Sequence, residues 1–203
     1  MYAANQIQKG TLELVTTPDV NNTLENENSR DFSLIRQARS GSEAAFKELF
    51  NSHVNRIYAV CLRFSQDTDM ADELTQEVFI KAWEKLHTFH FESKFSSWLY
   101  SIASNQFLMH KRSEKRAAEH NTQYGEKLLR DNPLLKPAVR HDYSIDVETA
   151  LAKLPNQARM TFILHDIEGY KHHEISEIMN IEVGTSKAHL HRARKILREE
   201  LSK

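Results

Sequence analysis

The residues best suited to contact nucleic acid lie near the C-terminus of this 203-residue chain. Five Lys or Arg residues and no acidic residue occur between Lys187 and Arg198. Apolar residues at helical spacing, among them Leu190 and Leu197, predict a helix whose opposite face is cationic. A shorter predicted helix at 172–179 and a turn at 180–182 precede it, which is the helix-turn-helix pattern of proteins that bind the DNA major groove. The alternative is a terminal helix with a solvated cationic face.

A second set combines aromatic and basic residues around a predicted loop, 87–94, and the helix that follows it. Between Lys81 and Arg116 there are seven Lys or Arg residues and three Glu residues. Aromatic rings beside cations can stack on unpaired bases of single-stranded nucleic acid. A plainer interpretation is stronger on the residues alone, because Phe95 and Trp98 fall on the apolar stripe and cations complement a helix C-terminus. The set comprises Phe89, Phe91, Trp98, Tyr100, Lys111, Arg112, Lys115 and Arg116.

A third surface belongs to the helix predicted from about Met70 to Leu86, which Asp67 is placed to cap. Its far face is acidic and polar, yet Ile80 lies on it and Trp83 lies at its edge. Apolar residues on such a face indicate a surface that binds a partner. An equally good explanation is that another element of the same domain covers them. The predicted buried stripe is Ala71, Leu74, Val78, Ala82 and Leu86.

The sequence contains no set of residues with the types and spacing of a catalytic centre. There are 11 His residues, but neither the HHE run at 172–174 nor the pair His189 and His191 matches a metal-ligand spacing. Nucleophile-elbow, phosphate-loop and dinucleotide-binding patterns are absent. The single cysteine, Cys61, lies on an apolar helical stripe and is predicted to be a core residue rather than a reactive thiol. The sequence therefore predicts no enzyme activity, no metal and no cofactor.

The elements that position these surfaces are predicted to be helices. Only 5 Gly and 4 Pro residues are present, which argues against a turn-rich β fold. A disordered polar tail is predicted for 1–31, a helical domain for 32–117, a flexible Pro-punctuated linker for 118–144 and a second helical domain for 145–203. The fold class is all-α, with two small helical domains joined by a flexible linker.

Composition also limits where the chain acts. The net charge is −1, and no apolar run approaches 18 residues, so direct membrane insertion is not expected. The N-terminus lacks the pattern of a signal peptide, and one cysteine suits a reducing compartment, so the cytoplasm is predicted. A net charge near zero does not argue against nucleic-acid binding, because the distribution of the charge decides it.

Several segments resemble a known family. The segment DELTQEVF at 72–79 resembles the D-x-L-x-Q-E-x-F signature of conserved region 2 in bacterial sigma-70 family sigma factors, and SWLYSIASN at 97–105 resembles the W-L-x-x-I-A-x-N that follows it. The layout of region 2, a short linker and region 4 is similar to that of the extracytoplasmic-function (ECF) group. The region 4 pattern is followed by Leu154-Pro155, Arg159, EGY at 168–170, Glu174-Ile175, Gly184-Thr185 and HRAR at 191–194.

The resemblance implies an alternative sigma factor, built from a region 2 helical bundle and a region 4 helix-turn-helix. Such a protein binds core RNA polymerase, through the clamp helices of the largest subunit and the flap, and directs promoter recognition and transcription initiation. The implied DNA partner is the promoter. An anti-sigma factor that occludes the same surfaces is a further implied partner, and many anti-sigma factors are membrane-bound.

The resemblance also implies a role for each surface. The residues implied to bind polymerase are Asp72, Glu73, Gln76, Glu77, Ile80 and Trp83. The residues implied to hold a flipped base and the backbone at the minus-ten element are His90, Phe91, Glu92, Ser93, Lys94, Trp98, Tyr100, Asn105, Lys111, Arg112, Lys115 and Arg116. The residues implied to bind the minus-thirty-five element are Thr185, Lys187, Ala188, His191, Arg192 and Lys195.

Two positions depart from the family pattern. Met109 stands where many relatives have Asp, and Ser186 stands where many have Val, which predicts a weaker core contact at that point. Two other functions are compatible with the helical pattern. One is a stand-alone helix-turn-helix regulator with residues 32–116 as a sensor or dimerisation domain, and the other is a nucleic-acid enzyme. Stable association with core polymerase distinguishes the sigma factor from the regulator.

Overall fold

The computed structural model describes residues 20–122 and 145–202, and every regular element in these two ranges is helical. The first domain contains α1 (Val20–Arg39), α2 (Glu43–Ser65), α3 (Thr68–Lys85), a 3-10 turn (Leu86–Thr88) and α4 (Phe95–Thr122). The second domain contains α5 (Ile145–Ala152), α6 (Asn156–Phe162), a π-helical turn (Ile163–Ile167), α7 (His172–Met179) and α8 (Val183–Leu201). The predicted all-α class is confirmed.

Local signals in the sequence explain where α2 and α3 begin. The Ser42 hydroxyl accepts a hydrogen bond from the Ala45 amide at 3.3 Å, and the Asp67 carboxylate accepts one from the Met70 amide at 2.9 Å. Each side chain satisfies an amide that the first helical turn leaves unpaired. The predicted inner stripe of α3 is buried along its whole length. Cys61 is also buried, and burial raises the pKa of its thiol to about 12, which agrees with a core role.

Two domain boundaries differ from the prediction. The start of order predicted near Asp31 lies inside α1, which begins at Val20. The linker predicted from Ala118 begins later, because α4 continues to Thr122. Among the described side chains of α4, Phe107 is the last apolar one that is buried, and residues 112–119 are exposed. The rest of the linker and the first part of the tail lie outside the described residues.

The second domain packs directly against the first. One continuous apolar core joins side chains of α1–α4 to Met160, Ile163, Leu164 and Ile175 of the second domain. A smaller cluster, formed by α5, α6 and α8, completes the second domain on its far side. The sequence predicted two separate domains, and it did not predict this contact between them.

Candidate nucleic-acid and partner-binding surfaces

The cationic face predicted on the C-terminal helix is present and open on α8. Thr185, Lys187, Ala188, His191, Arg192 and Lys195 are all exposed. Ser186, Leu190, Ala193 and Leu197 face inward and are buried. None of the three Lys and Arg residues of this face has a carboxylate partner within the described ranges. The helix therefore presents positive charge that is free to bind an anion. We call these six exposed residues the basic face of α8.

Side-chain contacts beside the basic face connect α8 to the π-helical turn and to α7. Arg194 donates two hydrogen bonds to the Asp166 carboxylate, at 2.9 and 2.6 Å, so this cation is paired with a carboxylate of its own domain. The buried Ser186 hydroxyl lies 2.9 Å from Nδ1 of His172, the first residue of α7. The departure at Ser186 is therefore not simply a weaker apolar contact, because a hydrogen bond to the neighbouring helix satisfies the buried hydroxyl.

The loop before α4 has a well-defined aromatic base. Phe89 is buried and packs against Phe95 and Trp98, with ring centroids 5.7 and 5.6 Å apart. Phe91 lies partly exposed above it, edge-on to Phe89 and Phe32 at 5.2 Å. Phe89 is therefore a core residue and not a free stacking platform. The predicted loop 87–94 shortens to the 89–94 loop, because Leu86–Thr88 form a 3-10 turn.

A cleft of about 580 Å³ opens beside the 89–94 loop. One wall comes from the loop and α4, where Phe91, Lys94 and Trp98 lie. The opposite wall comes from α7 of the second domain, which contributes Glu174 and Glu177. The cleft has the aromatic and basic wall that a flipped base needs, but in this arrangement an acidic helix of the same chain faces it.

The remaining residues of the predicted minus-ten set are not all equally accessible. His90, Glu92, Ser93, Lys94, Asn105, Arg112, Lys115 and Arg116 are exposed. Lys111 and Lys115 form ion pairs with acidic residues of the following turn, at 2.9 and 3.7 Å. Tyr100 is fully buried, and its hydroxyl donates to Glu168 at 2.7 Å. Its predicted DNA contact is therefore not available in this arrangement of the two domains.

The apolar residues on the far face of α3 are exposed. Ile80 is 56% exposed and Trp83 is 43% exposed, so within the described residues no element of the domain covers them. Trp83 packs edge-on against Phe46, and the neighbouring Phe50 is itself 37% exposed. Their exposure removes the alternative that another described element covers them, and partner binding stays a prediction. Asp72, Glu73, Gln76, Glu77, Ile80 and Trp83 are called the mixed face of α3.

One end of the mixed face contains a carboxylate and imidazole cluster that the sequence analysis missed. The Glu77 carboxylate lies 3.0 Å from Nε2 of His110 and accepts a hydrogen bond from Gln106, also at 3.0 Å. Glu73 offers a further oxygen within 4.8 Å of these groups. His110 is 33 positions from Glu77, so no local pattern in the sequence predicts the cluster. Its visible contacts hold α3 to α4.

A buried carboxylate at the domain boundary holds the two domains together. The Glu168 side chain is 8% exposed. It accepts two hydrogen bonds from Arg56, at 3.0 and 2.8 Å, and one from the Tyr100 hydroxyl. Burial and the neighbouring Glu168 raise the pKa of Tyr100, so this phenol remains a donor. We call Glu168, Arg56 and Tyr100 the interdomain latch.

Two further contacts extend the boundary. The Tyr170 hydroxyl accepts a hydrogen bond from Ser97 at 3.1 Å and lies 3.4 Å from the Ser96 hydroxyl. The buried Arg159 guanidinium donates to the Phe64 carbonyl at 2.6 Å. Burial lowers the pKa of Arg159 to about 10, which still leaves it protonated at neutral pH. Each contact joins a residue of the predicted region 4 pattern to the first domain.

Comparison with known proteins assigns both domains. The family model for sigma-70 region 2 matches residues 49–117, and the model for sigma-70 region 4 matches residues 144–197. The ECF RNA polymerase sigma factor SigW of Bacillus subtilis is 32% identical over 177 residues, covering 82% of this chain and 94% of the relative. This chain belongs to the ECF group of sigma-70 family sigma factors. It is an alternative sigma factor, a subunit that directs transcription initiation.

Two solved structures have a similar fold. The sigma factor RpoE of Bartonella quintana, solved with the anti-sigma factor NepR, matches with a TM-score of 0.63 and 25% identity over 77% of this sigma factor and 96% of that chain. CnrH, solved with the cytosolic domain of CnrY, matches with a TM-score of 0.61 and 23% identity, covering 85% and 97% of the two chains. The first domain is accordingly called region 2 and the second region 4.

Proposed function

We propose that three separate surfaces of this sigma factor divide the work of initiation. The mixed face of α3 binds core RNA polymerase through the clamp helices of its largest subunit. Its exposed Ile80 and Trp83 supply an apolar centre, and the centre of a protein interface usually contributes most of the binding free energy. The surrounding acidic residues and Gln76 supply a polar rim. Exposure of these two side chains in the free chain is the observation that supports this role. Region 4 contacts the flap.

In this proposal, the 89–94 loop and α4 bind the minus-ten element. A flipped base of the non-template strand enters the cleft between Phe91, Lys94 and Trp98, where stacking offsets the cost of leaving the duplex. Exposed cations at the end of α4 hold backbone phosphates. Phosphate contacts of this kind fix position, and the base in the cleft supplies sequence information.

The basic face of α8 binds the minus-thirty-five element. Side chains of this helix read base edges in the major groove. Lys187, Arg192 and Lys195, which form no ion pair within the described residues, add a salt-dependent attraction to the phosphates. The contact between Ser186 and His172 connects α8 to α7, and the ion pair between Arg194 and Asp166 connects α8 to the π-helical turn, so α8 is held in place within region 4. This geometry matters because a recognition helix works only when the rest of its domain rests on the DNA backbone.

Promoter binding requires the two domains to separate. Elements at minus-ten and minus-thirty-five are about 25 base pairs apart, or about 85 Å at about 3.4 Å per base pair. Domains that share one core cannot reach both. The 22 residues between Thr122 and Ile145 can span at most about 80 Å, and the lengths of α4 and α8 add to this reach. Separated domains can therefore contact both promoter elements. The interdomain latch must open in this step.

The proposal contains no chemistry carried out by the chain itself, because the sigma factor acts through the polymerase that it binds. No helix of the described residues is long and apolar enough to cross a bilayer. We place the protein in the cytoplasm, where polymerase is found. The sigma factor RpoE of Bartonella quintana was solved with an anti-sigma factor, and we propose a partner of that type for this chain.

A binding experiment with purified core polymerase tests the proposal. The chain is expected to co-elute with core polymerase and to change its promoter preference. A protein that binds promoter DNA but never associates with core polymerase would be a stand-alone regulator, and the proposal would then be wrong.

A further inference from the structure

The backbone of the 89–94 loop is held in a conformation that its sequence disfavours. Phe91 has a φ of 60°, in the left-handed region, although it is a bulky non-glycine residue. A side chain of this kind enters that region only when surrounding contacts hold it there. The loop that we assign to base capture therefore depends on contacts from outside its own sequence.

Those contacts come from the last turn of α1. Nε of Arg39 donates to the Leu86 carbonyl at 2.9 Å, and its Nη2 donates to the Phe89 carbonyl. The same guanidinium lies 4.8 Å from the centroid of the Phe91 ring. One planar cation thus satisfies the carbonyls at both ends of the 86–89 turn and covers the ring of the strained residue. A lysine could provide charge but not this fork of donors.

Arg39 has no other visible task. It is exposed, and it forms no ion pair with an acidic residue within the described ranges. Packing of α1 on the domain comes from Leu34, Ile35 and Ala38, which are buried. Removal of the Arg39 guanidinium should therefore leave the core of region 2 intact and release the loop.

We propose that Arg39 is the positioning residue of the minus-ten site. It sets base discrimination by holding the 89–94 loop in its capture conformation, and it does not itself contact DNA. The proposal rests on the role of the loop given above. It extends the promoter-reading machinery to α1, a helix outside the segments that resemble the family signatures.

The chain offers a matched control for the test. Arg36 lies one turn earlier on α1 and its guanidinium is 5.3 Å from the Phe91 ring centroid, but it donates no hydrogen bond to the loop. Arg39→Gln and Arg39→Lys remove the fork of donors, whereas Arg36→Gln removes an equivalent charge and leaves the fork. All three variants are assembled with core polymerase as holoenzyme.

The first measurement is the affinity of each holoenzyme for a pre-melted promoter, with either the preferred or a mismatched base at the captured minus-ten position. Arg39→Gln and Arg39→Lys should lower the ratio of these affinities by about tenfold, the effect of losing hydrogen bonds from a charged donor. Affinity for core polymerase should change by less than about twofold, and Arg36→Gln should keep the ratio within about twofold. An unchanged ratio in both Arg39 variants would overturn the proposal.

Hydrogen exchange of the free proteins supplies a readout that does not need DNA. Amides of the 89–94 loop should exchange faster in Arg39→Gln than in Arg36→Gln, with α2 and α3 unaffected. Faster exchange without a change in base discrimination would overturn the inference about Arg39 but leave the proposed function in place. A wild-type holoenzyme that does not discriminate at all would instead contradict the proposed role of the loop.

Discussion

The two surfaces proposed to bind DNA in this sigma factor are presented in opposite ways. The basic face of α8 is open to solvent, and its cations have no acidic partner within the described residues. The minus-ten cleft lies against α7, whose Glu174 and Glu177 face it. One surface is therefore ready to meet DNA while the other is covered by the same chain. For the proposed roles, this means that region 4 must move before the cleft can accept a base, whereas the basic face of α8 needs no such movement.

The chemistry of the two surfaces suits this division. Major-groove readout uses an intact helix on duplex DNA, which needs no prior change in the DNA or in the protein. Base capture needs a melted strand and an accessible cleft. A cleft that stays covered until polymerase separates the domains would avoid unproductive binding of single strands. The following predictions test this contrast between an open surface and a covered one.

The largest expected effect is on the open surface. Arg192→Glu places a negative charge on the basic face of α8, so affinity for the minus-thirty-five element should fall by at least about thirtyfold. Binding to core polymerase should be unchanged. The measurement is promoter binding by reconstituted holoenzyme, with Arg30→Glu as a charge-reversal control on α1, away from the proposed DNA surfaces. Equal loss of polymerase and promoter binding would contradict the division of labour.

A second effect concerns the mixed face of α3, whose Ile80 and Trp83 are exposed in this structure. Replacing Gln76 and Ile80 together by Ala should weaken association with core polymerase by about tenfold, because an interface centre loses apolar contact. Titration of labelled sigma factor with core polymerase measures this. Val147→Ala removes a similarly exposed apolar side chain from region 4 and should have no effect. Unchanged affinity of the double variant for core polymerase would show that polymerase binds a different surface of the sigma factor.

A third prediction addresses the covered surface through the interdomain latch. Glu168→Gln removes a buried charge that Arg56 and Tyr100 hold, which weakens the contact between the domains. Free protein should then bind a single-stranded minus-ten oligonucleotide about tenfold more tightly than wild type. Energy transfer between one label in each domain should report a longer distance.

The matched control for the latch is Asp166→Asn, which removes a carboxylate two residues away whose partners lie within region 4. It should leave the distance between the domains unchanged. If Glu168→Gln also leaves both distance and oligonucleotide affinity at their wild-type values, the latch does not hold the closed form.

Whether a feature of this sigma factor could be predicted from the sequence depends on how far apart its residues lie along the chain. The stripe of α3, its cap Asp67 and the basic face of α8 follow local spacing, so the sequence predicted them. The latch joins residues 112 positions apart, and the contact of Arg39 with the loop spans 50. Neither has a local pattern. The motif that assigns Tyr100 to DNA is local, whereas its contacts with Glu168 and Tyr170 come from the second domain.

The smallest expected effect is a dependence of stability on pH in region 4. Burial, with the nearby charges of His165, Lys187 and Arg194, lowers the pKa of His172 below its usual 6.5, and Asp166 opposes this only in part. The unfolded chain therefore binds the proton more readily, so stability is lost as the pH falls below about 6.5.

The measurement for His172 is the thermal midpoint at about pH 7.5 and about pH 5.5. The decrease on acidification should be shallower in His172→Gln than in wild type. His87→Gln, at an exposed position, should follow wild type. Parallel curves for all three proteins would show that His172 does not contribute.

The central claim is that this chain is a separable specificity subunit of RNA polymerase. Run-off transcription by core polymerase, with and without the chain, on a library of promoter sequences tests it most directly. The account predicts that transcripts arise only when the chain is added, from promoters that share one minus-ten and one minus-thirty-five sequence at a fixed spacing. Identical transcription in its presence and absence would contradict the claim.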